Sequence, residues 1–300
     1  DHLREMRQVM QAALPEGQAL LTVGEAPIAT TAQAVEITHP DTGALSMVFQ
    51  FEHMDLDTQP GCAKWAVKPL HLPDLKAVMQ RWQHALHGQG WNSLYLGNHD
   101  QPRIVSRWGD DSPAWRVRSA TAWATWLHGL QGTPYVYQGE ELGLPNTRIH
   151  TIADCQDIES INFHRAALAR GDDEAVVMHG IRAKGRDNAR TPFPWDGSDQ
   201  GGFTTGTPWL AAHPRRAEVN AALALADPHS VFHHYRQLIA LRRQHAVWVH
   251  GRTALLWPDH PQLAAYVRVL GVQRLRVLCN LSGQPVTFDL GTEAVLADAQ

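Results

Sequence analysis

The sequence predicts an α/β fold, because short apolar runs alternate with amphipathic helical segments along its 300 residues. Short, continuous apolar runs are typical of strands that are buried on both faces of a parallel sheet. Four such runs are predicted strands, at residues 19–23, 46–51, 92–96 and 133–137. Polar residues follow these runs, which is the arrangement expected where parallel strands end at a shared edge.

Helical periodicity is the second observation. Apolar residues recur every three or four positions in two segments between these strands, which predicts helices that each bury one face. The apolar positions are Leu72, Leu75, Val78, Met79, Trp82 and Leu86 in the first helix, and Val117, Ala120, Ala124, Leu127 and Leu130 in the second. Pro73 falls in the first turn, where proline is tolerated. Further helices are predicted at about residues 2–13 and through residues 232–239, the latter with Asp227 and Pro228 as its start signal.

This alternation describes half of a (β/α) barrel. A dinucleotide-binding sheet would share it, but no GxGxxG follows any predicted strand. We expect residues 1–246 to form the partial barrel, with an inserted loop region at about 145–210 that is rich in Gly, Asp, Asn and Pro. Residues 247–300 are expected to form a small antiparallel β domain that is cut short, with strands at 263–269 and 275–279.

Composition and charge exclude several classes of protein. The net charge of -4 and the pI near 6.5 provide no basic stripe for nucleic acid. No apolar run is long enough for a membrane span and no signal-peptide layout is present, so we expect a cytoplasmic monomer that contacts no membrane. Cys62, Cys155 and Cys279 are expected to be free thiols, and neither a metal nor a cofactor is expected. The first residues read as the middle of a helix, which suggests truncation.

Two carboxylates fall at predicted strand ends. Glu25 follows the first run, and Asp100 follows the third, beside His99 and before Arg103. Two carboxylates across a barrel mouth suit glycoside hydrolysis, in which one protonates the leaving oxygen while others attack or stabilise an oxocarbenium-like centre. The residues alone also allow simpler alternatives. Glu25 could lie in a surface loop, Asp100 could cap a turn or helix, and the arginines could be surface residues.

Several segments, in this order, resemble glycoside hydrolase family 13, the α-amylase family, and within it the oligo-1,6-glucosidase branch. Residues 22–25 (TVGE) and 49–57 (FQFEHMDLD) resemble its general-acid segment and following strand. Residues 98–107 (NHDQPRIVSR) resemble its transition-state-stabilising segment. Residues 132–143 (GTPYVYQGEELG), 186–192 (RDNARTP) and 202–206 (GFTTG) resemble its eighth strand and the region after it. The resemblance implies the C-terminal half of a (β/α)8 TIM barrel.

The resemblance also implies roles for individual residues. Glu25 would be the general acid/base, and Asp100 would grip the sugar hydroxyls and stabilise the transition state. The implied substrate-binding residues are His99, Arg186, Arg190 and Arg103. The family's retaining mechanism needs an aspartate nucleophile at the end of the strand before the Glu25 strand, and nothing upstream of Glu25 supplies it. We therefore expect the chain to be inactive alone.

Three functions are compatible with this resemblance. The first is hydrolysis of short α-glucosides, isomaltose or maltose, with release of glucose. The second is a relative that hydrolyses trehalose-6-phosphate, or that isomerises sucrose or transfers glucosyl groups. The third is a non-catalytic binding protein, against which the presence of Glu25, His99 and Asp100 argues. Departures from the branch at Gly97, at Cys155 and Gln156, and at residues 193–194 leave the linkage preference open.

Overall fold

The computed structural model of the chain describes residues 2–289. Its first four strands are β1 (Val23–Ala26), β2 (Met47–Gln50), β3 (Ser93–Leu94) and β4 (Thr133–Pro134). β1 pairs with β2 and β3 pairs with β4, both in parallel. A single parallel bridge between Val48 and Asn92 joins the two pairs. The predicted parallel arrangement of these four strands is confirmed, although β3 and β4 are shorter than the apolar runs that contain them.

The described residues form ten α-helices. They are α1 (His2–Ala13), α2 (Thr31–Thr38), α3 (Leu72–Leu86), α4 (Ile104–Arg107), α5 (Arg116–His128), α6 (Ile158–Arg170), α7 (Glu174–Lys184), α8 (Ala221–Ala226), α9 (Val231–Gln244) and α10 (Ala246–His250). The periodic segments predicted as helices are confirmed as α1, α3, α5 and α9. None of the ten has the combination of length and apolar character that a bilayer span requires.

Helix α3 shows how the sequence pattern becomes a packed layer. Its proline lies in the first turn, and its apolar positions are buried. Val78, Trp82 and Leu86 pack with Ala34 of α2 and Val48 of β2. Other apolar residues of α3, including Leu75 and Met79, pack in a second core that also contains residues of α5. The helix thus covers the strands on one face and contacts its neighbours on the other. Trp82, Trp123 and Trp126 are all core residues, as predicted.

The helices after residue 145 differ from the predictions in two respects. Helix α9 begins after Ser230, whose hydroxyl accepts a hydrogen bond from the backbone N–H of His233. Asp227 instead follows the last residue of α8, so its predicted role as the start of α9 is wrong. The region at 145–210 contains α6 and α7, neither of which was predicted. Asp157 and Asp173 cap their first turns, so aspartates that suggested irregular loop also start helices.

The predicted bounds of the first strand are also wrong. The apolar run at 19–23 suggested a strand there, but β1 begins at Val23 and places Glu25 inside the strand. The pairing of Val23 with Met47 fixes this register. Leu21 lies outside it and is 68% exposed, so the run does not form a strand buried on both faces.

A three-stranded antiparallel sheet follows the last helix, as predicted, with an additional first strand. It contains β5 (Arg252–Leu256), β6 (Leu263–Leu270) and β7 (Gln273–Asn280). Tyr266 and Val277 share a core with residues of α3 and α5. Lys76 of α3 is fully buried and donates hydrogen bonds to the carbonyl oxygens of Trp257, His260 and Leu263, at 2.8–3.1 Å. Residues 290–300 of the predicted β domain lie outside the described residues.

Candidate active site

Glu25 lies on the face of β1 that points away from the helices. A Cβ on its neighbour Gly24 would meet Leu45 and Val48 side-chain atoms, so Gly24 faces the helix layer. Side chains alternate across a strand, and Glu25 therefore shares the opposite face with Phe49, its partner on β2. The Phe49 ring contacts the ring of Tyr95, with centroids 5.1 Å apart. Glu25 lies in a strand rather than in a surface loop.

Tyr95 provides an electrostatic link to Glu25. Burial raises the pKa of the Tyr95 phenol, and the negative charge of Glu25 acts in the same direction. The phenol donates a 2.8 Å hydrogen bond to the carbonyl oxygen of Gln50. Phe49, the partner of Glu25, and Tyr95, which directly follows β3, thus connect the Glu25 face of β1 and β2 to the segment that leads to Asp100.

Asp100 is held by arginine. Its Oδ1 accepts a hydrogen bond from Nη2 of Arg190 at 2.5 Å, and Nη1 of Arg186 lies 3.6 Å from the same oxygen. The backbone N–H of Asp100 donates to Oδ1 of Asn98 at 2.8 Å, which closes a tight turn. Helix α4 begins only at Ile104, so Asp100 does not cap it. The helix-cap alternative for Asp100 is excluded.

His99 lies beside Asp100 at the open side of the turn. Its Nε2 is 3.5 Å from Oδ2 of Asp100, and its side chain is 60% exposed. The His99 carbonyl oxygen accepts a 2.8 Å hydrogen bond from Nε of Arg190. Arg190 thus fixes both the backbone and the carboxylate of this turn with two of its nitrogens. Whether His99 and Arg190 also bind substrate stays a prediction.

Arg186 reaches Asp100 from the inserted region. Its Nε and Nη2 donate to Oδ1 of Asp157 at 3.0 and 2.6 Å, and Nε lies 3.3 Å from Oε2 of Glu159. Lys64 pairs with the same Glu159 oxygen at 2.5 Å. Burial alone would raise the pKa of Asp157, but the hydrogen bond from Arg186 and its charge lower it. Two carboxylates anchor Arg186, with its remaining Nη1 directed at Asp100.

The expectation that Arg103 contacts substrate needs correction. Arg103 is only 3% exposed and its guanidinium is bonded to backbone. Its Nε donates to the carbonyl oxygen of Asn188, Nη1 to that of Gln138 and Nη2 to that of Ala189. These acceptors lie after β4 and in the turn that carries Arg186 and Arg190. Arg103 therefore holds together the segments around Asp100, and its burial leaves almost no surface for contact with a sugar.

A buried charge cluster beside this site was not predicted. Asp57 accepts hydrogen bonds from Arg107, Lys184 and the indole of Trp108. The side chains of Asp57, Arg107 and Lys184 are 6%, 2% and 4% exposed. Arg107 follows Asp100 in the sequence, and Lys184 precedes Arg186 by two residues. The sequence signal was only the presence of charged residues in the motifs, and it could not indicate which of them pair.

The strands that carry Glu25 and precede Asp100 run in the same direction, so their carboxyl ends lie at the same edge of the parallel strands. The carboxyl ends of parallel strands face a common pocket, and β1 and β3 lead to Glu25 and Asp100 in the same direction. Two carboxylates at one edge, of which Asp100 is bound by arginine, can divide acid–base and electrostatic roles. Within residues 2–289 no three His, Cys, Asp or Glu side chains gather in a way that could hold a metal ion.

Comparison with known proteins defines the class. Residues 1–251 match the family described as the alpha amylase catalytic domain. The chain belongs to the α-amylase family. It is 48% identical over 289 residues to the oligo-1,6-glucosidase of Parageobacillus thermoglucosidasius, which covers 96% of this chain and 51% of that protein. It is 50% identical over 279 residues to the oligo-1,6-glucosidase of Halalkalibacterium halodurans, covering 93% of this chain and 49% of that protein.

A solved structure agrees with this assignment. The trehalose-6-phosphate hydrolase of Bacillus licheniformis superposes with a TM-score of 0.91 at 40% identity, covering 97% of this chain and 52% of that one. The chain spans about half the length of the curated relatives that it matches.

Proposed function

We propose that this chain supplies the acid/base half of the active site of a retaining α-glucosidase of the oligo-1,6-glucosidase type. The substrates would be short α-glucosides such as isomaltose and maltose, and the product glucose. Family membership and the two oligo-1,6-glucosidase relatives support this proposal. The observation that carries it is Asp100, an arginine-bound carboxylate at the strand edge to which the Glu25 strand also leads.

The proposed architecture is the C-terminal half of a (β/α)8 barrel over residues 1–246, with an insertion at about 145–210, and a β domain over residues 247–300. Four parallel strands in chain order, covered on one face by α2 and α3, support the half-barrel. The aspartate nucleophile would come from sequence outside these 300 residues. The chain's coverage of about half of its relatives is consistent with that division.

In the proposed reaction Glu25 first donates a proton to the glycosidic oxygen as the bond to the anomeric carbon breaks. The external nucleophile attacks the anomeric carbon and forms a glycosyl-enzyme. Glu25, now ionised, then takes a proton from the water that hydrolyses this intermediate. Asp100 would grip sugar hydroxyls and stabilise the positive charge that develops on the ring. His99 would bind the glucosyl unit in the subsite that is cleaved. Arg186 would reach the substrate from the inserted region, with Arg190 as the second choice.

The test uses a chimaera in which this chain replaces the region that it matches in the Parageobacillus thermoglucosidasius enzyme. The chimaera should release glucose from isomaltose with retained α-configuration, measurable by NMR. Glu25→Gln should lower the rate on a poor leaving group about a hundred- to ten-thousand-fold, which is the usual contribution of general acid catalysis. Glu218→Gln, which changes a carboxylate at 64% exposure, is the matched control.

Three results would decide against the proposal. An inverted product would exclude the retaining mechanism, and full activity of the Glu25→Gln chimaera would exclude the acid. Faster turnover of trehalose 6-phosphate than of isomaltose would show that the enzyme is a trehalose-6-phosphate hydrolase rather than an oligo-1,6-glucosidase. The 300-residue chain tested alone should release no glucose.

A further inference from the structure

Asp57 is the centre of a buried network that joins three segments around the site. Its Oδ2 accepts hydrogen bonds from Nε of Arg107 at 2.7 Å and from the Trp108 indole at 2.9 Å. Its Oδ1 accepts from Nη2 of Arg107 at 2.7 Å and from Nζ of Lys184. Four donors thus converge on one carboxylate. The segment after β2, the helix α4 and the end of α7 meet at this point.

One branch of the network runs toward the backbone of Asp100. Arg107 donates from Nη1 to Oε1 of Gln101 at 2.7 Å, and from Nη2 to the carbonyl oxygen of Met54 at 2.5 Å. Gln101 is the residue next to Asp100. A shift of the Arg107 guanidinium would therefore move the Gln101 side chain, which holds the turn at residues 98–100 on its C-terminal side.

The second branch runs toward the arginine that faces Asp100. Lys184 is the last residue of α7, and Arg186 begins the next helical turn two residues later. The pairing of Lys184 with Asp57 fixes the end of α7 against the segment after β2. Arg186 then approaches Asp100 to 3.6 Å from this fixed point. Asp57 is thus connected to Asp100 through Arg107 and Gln101, and to Arg186 through Lys184.

The charges make Asp57 essential to the cluster. One carboxylate serves two cations, and burial penalises any ion that loses its partner. Burial would raise the pKa of Asp57, but the hydrogen bonds and charges of Arg107 and Lys184 lower it to about 2. Burial lowers the pKa of Lys184 to about 8, and the positive charge of Arg107 acts in the same direction. Removing the Asp57 charge would leave two buried cations that repel each other.

We propose that Asp57 is a positioning residue that sets the orientation of Asp100 and Arg186 through Arg107, Gln101 and Lys184. The inference rests on the proposed function of Asp100 as the stabilising carboxylate. It assigns to Asp57 an effect on the rate of the glycosyl-transfer step. A merely structural Asp57 would affect only the stability of the fold.

The test uses the chimaera described above, provided that the parent chimaera hydrolyses isomaltose. Asp57→Asn keeps the size of the side chain and removes its charge. Gln101→Leu breaks the Arg107–Gln101 link and leaves the three buried charges in place, so it remains informative if Asp57→Asn does not fold. The matched control is Lys76→Met, which removes another buried charge that binds the β5–β6 connection.

The expected kcat falls about a hundredfold in Asp57→Asn, since small misplacements of catalytic groups can have effects of this size, while KM changes little. A fall of about tenfold is expected in Gln101→Leu, which loses a single charge-assisted hydrogen bond. In both variants a cationic iminosugar, which resembles the charged transition state, should bind about tenfold more weakly than to the parent. The affinity of both variants for glucose should equal that of the parent. Lys76→Met should lower the melting temperature and leave kcat unchanged.

The possible outcomes separate the two proposals. A parent chimaera without glucosidase activity contradicts the proposed function. The positioning role is overturned if the parent is active and its Gln101→Leu and Asp57→Asn variants keep the parent's kcat and iminosugar affinity. In that case the substitutions would lower only the melting temperature. Loss of kcat in the Lys76→Met control to the same extent would also overturn it, because the effect would then follow from lost stability alone.

Discussion

A lysine at position 190 cannot reproduce the two contacts that Arg190 makes. The guanidinium uses Nε for the carbonyl oxygen of His99 and Nη2 for Oδ1 of Asp100, at 2.8 and 2.5 Å. An ammonium group is a single point donor on a flexible stem, so it can keep the charge near Asp100 but loses the fixed two-point geometry. We therefore expect Arg190→Lys to affect the orientation of Asp100 more than its charge.

The magnitude follows from the exposure of the pair. A hydrogen bond to a charged group contributes about 1.5–3 kcal/mol. The side chains of Arg190 and Asp100 are 26% and 38% exposed, so solvent screening favours the lower end of that range. A loss of about 1.5 kcal/mol corresponds to about a tenfold lower kcat/KM. Arg190→Leu, which also removes the charge, should lower it further.

The assay is steady-state hydrolysis of isomaltose by the chimaera and its variants. Arg182→Lys is the matched control, because Arg182 also donates from Nε and Nη2, to the carbonyl oxygens of Ile149 and His150 at 2.8 and 2.6 Å. It should stay within about twofold of the parent in kcat/KM. Equal kcat/KM for Arg190→Lys and the parent would refute the argument that Arg190 orients Asp100.

Two further predictions concern stability of the chain. Lys76→Met should lower the free energy of unfolding, measured in urea, by about 3 kcal/mol. Three charge-assisted hydrogen bonds are lost, and the removal of a buried charge offsets only part of that loss. The control Lys68→Met, at a half-buried site, should change the free energy of unfolding by less than about 0.5 kcal/mol. Burial lowers the pKa values of His53, His128 and His213 to about 4, 3 and 4. These rings stay neutral in the fold while the unfolded chain binds protons below about pH 6.5, so stability present above that pH should fall as the pH drops toward 4, by up to about 1.4 kcal/mol per histidine and pH unit. Unfolding curves measured between pH 7 and 4.5 test this. If the free energy of unfolding of His53→Gln falls with pH as steeply as that of the parent chain, His53 does not contribute to the pH dependence.

The elements that the sequence predicted are those whose pattern repeats locally. Helix α3 has the same first and last residues, Leu72 and Leu86, as the periodic apolar positions that predicted it. The parallel direction of the four strands follows from the helices between them, because a helical crossover returns the chain to the same end of the sheet. The register of β1 was beyond this kind of reasoning. It depends on pairing with β2 and on hydrogen bonds between Thr22 and Ser46, the residues that directly precede the two strands, rather than on apolar content.

Side-chain roles at the site divide in the same way. The resemblance identified Asp100, Arg186 and Arg190 as residues of one site, and the fold brings both guanidinium groups within 3.6 Å of Oδ1 of Asp100. Neither periodicity nor motif spacing indicated that Asp57 would pair with Lys184, which lies 127 positions away. Contacts of that kind depend on how α7 of the inserted region packs against the strand-end segments. They are properties of the tertiary structure.

The arginines around Asp100 differ by what they bind, and this difference assigns their effects. Arg103 donates only to backbone carbonyl oxygens and is almost fully buried. Arg186 and Arg190 bind carboxylates and remain partly open, at 23% and 26% exposure. A buried arginine that satisfies carbonyls holds loops in place, because its loss leaves unpaired acceptors in the core. A partly open arginine on a carboxylate can also reach a ligand. Substitutions at Arg103 should therefore act first on folding, whereas those at Arg190 should act first on the rate.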